Sequence, residues 1–273
     1  MPKIEVSEGG AIPKKADIGL YNAWGIALAG ALNIINILLW WKPDPYLEII
    51  KFLPDGVLVT FKVTIASILL SLVFGLIAGL GRLSKNRLIN GIASLYVEVI
   101  RGIPLLVQLF YIYFGLGKTL NALATNYGDA YPFLHTLTGL SATTYAIVAM
   151  SVCYGAYMAE IFRAGIDAVP KGQTEASRSL GMSSSQTMIH VTLPQAVKTI
   201  LPPVGNEFIA LLKDSSLVSI LAVSDLLRRG REYASESFNY FEAYTMVALF
   251  YLVITLILSK LVAIMEDKIG SDD

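Results

Sequence analysis

Long uncharged stretches alternate with short charged segments along this chain of 273 residues. A helix needs about 20 mostly apolar residues to cross the hydrocarbon core of a bilayer. Six stretches approach or exceed this length, and we predict one membrane-spanning helix in each of them: residues 19–41, 63–81, 88–116, 143–166, 197–223 and 243–259. The pattern therefore predicts an all-α polytopic membrane protein whose two termini lie on the same side.

The composition agrees with a membrane protein. Hydrophobic residues make up 55% of the chain and charged residues 15%, against about a quarter charged in soluble domains. Because Lys plus Arg and Asp plus Glu both number 21, no basic field suggests nucleic acid as a partner. The single cysteine, Cys153, excludes an intrachain disulfide, and the two histidines lie far apart, so we predict no metal site.

The distribution of Lys and Arg indicates which side of the membrane each segment faces. Eleven of these residues lie in four segments, 1–17, 82–87, 167–198 and 260–273, and seven lie on the opposite side. Cytoplasmic segments are enriched in Lys and Arg, so we predict that both termini are cytoplasmic. Three of the seven outer residues, Arg228, Arg229 and Arg231, cluster in one loop and weaken this signal.

The longest polar segment on the predicted cytoplasmic side is the loop 167–198. Good helix formers follow a turn that begins at Pro170, and Gly181 is a natural helix end. Ser183 is suited to cap a further short helix, which Pro194 would end. We therefore predict a short helix that lies parallel to the membrane on the cytoplasmic face.

This loop contains a specific pattern, which consists of a Glu-Ala-Ser triplet, a glycine six residues after the Glu, and a later Leu-Pro pair: Glu175, Ala176, Ser177, Gly181, Leu193 and Pro194. The pattern resembles the EAA loop of binding-protein-dependent ABC importer permeases. Ser177 stands where that family usually has a second Ala, and Val191 stands for Ile. Both differences are small and leave the spacing intact.

The resemblance extends from about residue 53 to the C-terminus. It rests on motifs that look like the polar amino acid branch of this family, at residues 81–86, 96–98, 101–108, 159–163, 170–173 and 205–217. It implies a type I ABC importer permease fold with a five-helix core. The helix at 19–41 is additional, so we divide the chain into residues 1–52 and an importer transmembrane domain at 53–273.

The resemblance also implies a function and partners. The chain would be the permease subunit of an ATP-driven amino acid importer in a bacterial inner membrane. Its partners would be two ATP-binding ABC subunits, a second permease that is identical or homologous, and an extracytoplasmic binding protein that delivers a polar amino acid. Residues 175–181 would couple the permease to the ATPase. ATP and Mg²⁺ would be used by that partner, and this chain would hold no cofactor.

Two further motifs are weaker evidence of function. Residues 117–119 resemble the end of a nucleotide-binding P-loop, but Ile112 stands where that motif needs Gly, so the chain is not expected to be an ATPase. Gly75 and Gly79 match the spacing of helix-dimerisation motifs. Such spacings are common, so we predict that these glycines serve helix packing within the subunit.

Charged residues inside a membrane need a partner or a water-filled cavity. Glu98 and Arg101 are three residues apart, as are Glu160 and Arg163, so each pair can meet on one helix face. Each pair is either a local ion pair or a set of substrate contacts. A zwitterionic amino acid needs an acid for its ammonium group and a base for its carboxylate. Under the second interpretation, Glu160 is the preferred ammonium contact.

The fifth predicted helix carries the remaining charged candidates for the substrate pathway. Glu207 and Asp214 are seven residues apart and share a helix face, whereas Lys213 points about 100° away from Asp214. Pro202 and Pro203 free backbone carbonyls near the start of this helix. The helix is either kinked and packed against the core, or a flexible gate that lines the pathway.

Two other classes of function compete with an ABC permease. A secondary transporter would use an ion gradient, with Glu160 or Asp214 as a proton carrier. It would transport without a partner ATPase. A channel or structural membrane subunit would tolerate Gly181→Asp, whereas the ABC interpretation predicts loss of ATPase docking. The spacing of Glu175, Gly181 and Leu193 favours the ABC permease over both.

Overall fold

The computed structural model describes residues 18–136 and 138–270, and this part of the chain is almost entirely helical. The predicted cytoplasmic segment 1–17 lies outside the described residues. The helices are α1 (Ile18–Trp41), α2 (Pro43–Phe52), α3 (Pro54–Arg82), α4 (Arg87–Gly102), α5 (Leu105–Phe110), α6 (Gly117–Tyr127), α7 (Phe133–Thr136), α8 (Ala142–Asp167), α9 (Lys171–Ser179), α10 (Ser184–Thr187), α11 (Leu193–Asp214), α12 (Leu226–Ser237) and α13 (Tyr240–Gly270). Short π-helical segments, Tyr111–Leu116 and Met188–Thr192, precede α6 and α11.

Within the described residues, five membrane crossings are supported by length and apolar composition. Four are single stretches, and the fifth is a pair of helices joined by a sharp bend: Ala23–Trp41, Pro43–Arg82, Ala142–Asp167, Tyr240–Ile269, and Arg87–Gly102 with Leu105–Tyr127. The first, second, fourth and sixth predicted helices are therefore confirmed. The second helix begins earlier than the predicted residue 63, because α3 begins at Pro54.

The fifth predicted crossing differs from the expected span 197–223. The helix α11 ends at Asp214, and a 3-10 helix, Ser215–Leu221, follows it. At 1.5 Å per residue, α11 is about 33 Å long, but it is not among the helices apolar enough to cross a membrane unassisted. It packs against α3, α8 and α13, so much of its surface faces protein instead of lipid.

The prediction of one helix over 88–116 is wrong. The chain bends by 106° between α4 and α5. A proline disfavours helical backbone in the residue before it, and Ile103, which precedes Pro104, is extended. The Gln108 side chain donates hydrogen bonds of 2.7 Å to the carbonyl oxygens of Ile100 and Ile103. The amide thus satisfies the Ile103 carbonyl, and it adds a second, shorter bond to the Ile100 carbonyl, which also accepts from the Ile103 amide at 3.4 Å.

We expect Gln108→Leu to destabilise this bend. Gln108 is 5% exposed, so the leucine would leave the Ile103 carbonyl without a donor and the Ile100 carbonyl with only the 3.4 Å bond from the Ile103 amide, at a cost of roughly 1–3 kcal/mol. Gln195→Leu is the matched control, because that amide donates to one carbonyl a single turn back. Thermal denaturation in detergent should show a clearly larger loss of stability for Gln108→Leu. Equal losses would contradict the role of Gln108 at the bend.

The core of the bundle is the contact between α3 and α8. Glycines on α3 allow this approach, since a Cβ atom at Gly75 would lie 2.3 Å from Met158 Cβ and one at Gly79 would lie 2.9 Å from the Ala159 carbonyl oxygen. The prediction that this glycine pair serves packing within the subunit is confirmed.

The additional helix α1 attaches to the outside of the bundle. Trp24 donates a hydrogen bond of 2.8 Å from its indole nitrogen to the Leu256 carbonyl oxygen on α13. Near the other end of α1, Lys42 forms an ion pair of 2.9 Å with Glu242, which raises the pKa of Lys42. In the structure α2 ends at Phe52 and α3 begins at Pro54. The division at residue 52 stays a prediction.

Candidate functional site

The loop between α8 and α11 contains a helix that ends in a fixed turn. Gly181 has a φ of +86°, a left-handed conformation that other residues adopt only with strain. The Gly181 amide donates to the Arg178 carbonyl oxygen at 3.0 Å, and the Met182 amide donates to the Ser177 carbonyl oxygen at 3.2 Å. These two bonds form a Schellman motif, which requires a residue that accepts this conformation. The glycine of the sequence pattern therefore ends α9.

Ser177 connects α9 to α10. Its side chain is 5% exposed. Its hydroxyl lies 3.0 Å from the Thr187 hydroxyl and 2.9 Å from the Thr174 carbonyl oxygen. The short helix α10 is itself capped, because Ser183 and Gln186 form a reciprocal capping box. The serine that departs from the family pattern thus joins two capped helices into one small unit.

The outward face of this unit carries both charged and apolar groups. Glu175 and Ala176 are exposed on α9. Leu180, next to Gly181, is 85% exposed, and Ile189 is also exposed. Single exposed apolar side chains are ordinary on protein surfaces, so the feature of interest is that Leu180 adjoins the fixed turn at the end of α9. Leu180 was not among the residues predicted from the sequence, although the sequence places it directly before the helix-ending glycine.

The Leu-Pro pair of the pattern forms the entry to α11. Leu193 is partly exposed and is the first residue of the helix, with Pro194 directly after it. The backbone is helical on both sides of Thr192, so the helix capped by Ser183 continues through the π-helical segment into α11. The prediction that Pro194 ends that helix is therefore wrong, and the π-helical segment lies directly before the proline, whose missing amide disrupts regular helical hydrogen bonding.

Glu160 lies in an ion-pair network close to the same end of α8. Its carboxylate accepts a hydrogen bond from Arg82 on α3 and one of 2.6 Å from Arg163. Arg163 also binds Asp167 at 3.0 Å. Both carboxylate oxygens of Glu160 are therefore engaged by guanidinium groups. This geometry favours the local ion-pair interpretation of Glu160 and Arg163 over direct substrate contact.

The pair expected from Glu98 and Arg101 is not formed. Both side chains are exposed, and within the described residues neither has an ion-pair partner. The Arg101 guanidinium instead lies 5.2 Å from the centroid of the Tyr157 ring on α8. The ion-pair interpretation of Glu98 and Arg101 was therefore wrong, since spacing on one helix does not fix the direction of long side chains.

A second polar cluster lies near the midpoint of α8. The Tyr154 hydroxyl donates a hydrogen bond of 2.8 Å to Asp214 Oδ2, at the point where α11 ends. Glu207, two helical turns earlier on α11, is half-buried, and Asp214 and Arg101 are the charged groups that act on it electrostatically. The rings of Tyr154 and Tyr157 lie 5.9 Å apart. The structure thus brings two acids, one base and two tyrosines together from three helices.

Not every candidate on α11 joins this cluster. Lys213 is exposed, in agreement with its predicted direction away from Asp214. The tyrosines were missed by the sequence analysis. Tyrosine is enriched at membrane interfaces. The position of Tyr154 and Tyr157 in the middle of a predicted span was therefore unusual, and it could have identified them as candidates from the sequence.

Local partners bind the basic cluster of Arg228, Arg229 and Arg231. Arg228 and Arg229 bind Glu232 at 2.9 Å and 3.1 Å, and Arg231 donates to the Ser219 hydroxyl at 3.3 Å. At the start of α12, burial raises the pKa of the Asp225 carboxyl to about 6, although backbone amides of Arg228 and Leu227 act to lower it.

Comparisons with known proteins identify similar sequences. The family model of the binding-protein-dependent transport system inner membrane component matches residues 71–271. The probable amino-acid permease protein YxeN of Bacillus subtilis (strain 168) is 38% identical over 208 residues, which are 76% of this chain and 87% of that protein. The glutamine transport system permease protein GlnP of Escherichia coli (strain K12) is 36% identical over 219 residues, which are 80% of this chain and 93% of that protein.

A solved structure is also similar. The crystal structure of an amino acid ABC transporter with histidines contains a chain that is 39% identical to this one, with a TM-score of 0.71. The match covers 81% of this chain and 96% of that chain. The part matched by the family model begins within α3, after α1 and α2.

Proposed function

The chain belongs to the binding-protein-dependent transport system inner membrane component family, and from that premise we propose how it couples ATP hydrolysis to amino acid import. It is a multi-pass, membrane-embedded permease of an amino acid ABC importer, with the type I importer permease fold. Subunits of this family have no ATPase site of their own. The chain would accordingly catalyse no bond chemistry, and ATP with Mg²⁺ would be used by a partner.

The observation that carries the coupling proposal is the exposed Leu180 beside the fixed turn at Gly181. A helix end that is already held in one conformation loses little conformational freedom when a partner protein binds it. The helix α9, with Glu175 and Ala176 outward, would form the coupling helix that the ATPase contacts. The ion-pair network of Glu160 links the end of α8 near this loop to α3, so a displacement of α9 would be transmitted to two spanning helices.

The proposed assembly contains two permease chains and two ATP-binding subunits. Two ATP-binding subunits would act on two permease chains, which are two copies of this chain or this chain with a homologue. An extracytoplasmic binding protein would deliver the substrate, in line with the family description. Both termini would lie in the cytoplasm, on the same side as α9. ATP binding would shift the permease between inward-open and outward-open states.

The substrate site we propose is the cluster of Asp214, Glu207, Arg101 and the two tyrosines. A polar amino acid such as glutamine, the substrate in the name of one relative, presents an ammonium group and a carboxylate. The acids of α11 would bind the ammonium, and Arg101 would bind the carboxylate. Tyr154 would position Asp214 through its hydroxyl. Glu98, Arg163 and Lys213 would then lie outside the contact set.

The test is uptake of radiolabelled amino acids by proteoliposomes that contain the assembled transporter. We expect uptake only when the ATP-binding subunits and ATP are both present, and we expect it to persist when an ionophore removes ion gradients. A secondary transporter would show the opposite dependence. Uptake by this chain alone, driven by a proton gradient, would overturn the proposal.

A further inference from the structure

A cavity of about 460 Å³ with both polar and apolar lining residues lies between the loop 167–198, which we call the coupling loop, and the ends of α3 and α8. Three basic residues line it: Lys85 in the turn after α3, and Lys171 and Arg178 on α9. Four residues that carry hydroxyl groups also line it: Thr174, Ser184, Thr187 and Thr192. The proposed transport mechanism uses none of the three basic side chains.

The basic residues come from two separate segments and converge because of helix geometry. Lys171 and Arg178 are seven residues apart on α9, so they lie on the same helix face two turns from each other. This face is the one that lines the cavity opposite Lys85. Arg178 is held at the cavity by a hydrogen bond of 2.8 Å from its guanidinium to the Ser184 hydroxyl.

The cavity lining has an excess of positive charge. Its acid is Asp167, and the Oδ2 atom of that residue accepts a hydrogen bond of 3.0 Å from Arg163. Among the described residues, neither Lys85 nor Lys171 has an ion-pair partner. Two ammonium groups, a guanidinium and several hydroxyl groups together form the donor set that phosphate oxygens prefer.

We propose that this cavity binds a phosphate-bearing anion. It lies at the membrane surface, because α3 ends at Arg82 and α8 ends at Asp167 beside it. Basic pockets between helix ends at this depth bind the headgroups of anionic phospholipids. A soluble phosphate would satisfy the same donors. Either anion would tie α9 to the turn between α3 and α4, and would thereby restrain the coupling loop.

The test measures lipid binding to the full chain in neutral detergent by native mass spectrometry. Phosphatidylglycerol is titrated, with phosphatidylcholine as the lipid without net charge. The double variant Lys85→Gln with Lys171→Gln should bind phosphatidylglycerol about 30-fold more weakly, the change that corresponds to about 1 kcal/mol for each lost cation. The control Lys62→Gln with Lys118→Gln removes the same charge elsewhere and should bind like the wild type.

Two further measurements identify the anion and control for misfolding of the variants. The variant Lys85→Arg with Lys171→Arg keeps the charges and should retain binding. If inorganic phosphate binds the wild type at lower concentrations than phosphatidylglycerol does, the occupant is a soluble phosphate, and if the order is reversed, the occupant is a headgroup. Equal binding of phosphatidylglycerol and of phosphate by the glutamine variant and the wild type would overturn the proposal. This measurement needs no transport, so it is independent of the substrate proposed above.

Discussion

Gly181→Val is expected to reduce amino acid uptake by the assembled transporter by about tenfold or more. The φ of +86° at this position is strained for a β-branched residue, at a cost of at least 1–2 kcal/mol. The chain would relieve this strain by opening the turn that ends α9. Leu180 and the outward face of α9 would then lose their fixed position against the ATPase. Uptake and co-purification of the ATP-binding subunit measure the two consequences.

Gly181→Asn is the control that separates backbone conformation from the presence of a side chain. Asparagine tolerates the left-handed conformation better than other residues with side chains, so it should retain most of the uptake. A Cβ atom at Gly181 meets no other atom within 4 Å, and steric exclusion inside the subunit is therefore not the cause. If the two variants lose activity equally, the turn geometry does not determine coupling.

Asp214→Asn is expected to raise the KM for uptake by roughly 10- to 100-fold. The substitution keeps the shape of the side chain and an oxygen that accepts from Tyr154, but it removes the negative charge. A hydrogen bond to a charged group contributes about 1.5–3 kcal/mol, which corresponds to this range. Tyr154→Phe should have a smaller effect, because it leaves the carboxylate in place and removes only the hydroxyl that positions it.

Glu160→Gln tests the alternative assignment, in which Glu160 binds the ammonium group of the substrate. Because Arg82 and Arg163 engage this carboxylate, we expect the variant to lower thermal stability and to leave the KM nearly unchanged. The two variants therefore distinguish the substrate site on α11 from the earlier interpretation that Glu160 binds the ammonium group. A raised KM for Glu160→Gln together with a normal KM for Asp214→Asn would reverse the assignment.

Features that depend on neighbouring residues could be predicted from the sequence. Helix length and apolar composition located α1, α8 and α13, since these properties are local. The glycine at 181 was identified as a helix end for the same reason. The spacing of Glu175, Gly181 and the Leu-Pro pair carried the resemblance to the family, which the comparisons confirm.

Features that depend on distant residues could not be predicted in this way. Pro104 made a break possible, but its angle and the position of Gln108 follow from packing. The spacing of Glu98 and Arg101 suggested an ion pair, whereas Arg101 contacts Tyr157, 56 positions later. A helical repeat identifies which side chains share a face, but it does not identify the helix which that face meets.

The sequence by itself thus determined the membrane class, most of the spanning helices and the turn at Gly181, because hydrophobic length and backbone conformation are properties of short segments. The tertiary structure decided which charges meet. Asp214 reaches Tyr154 across 60 positions, and Glu160 reaches Arg82 across 78. Such contacts form only when helices pack against each other. A buried charge then needs a polar partner, and the neighbouring helix determines which partner is available.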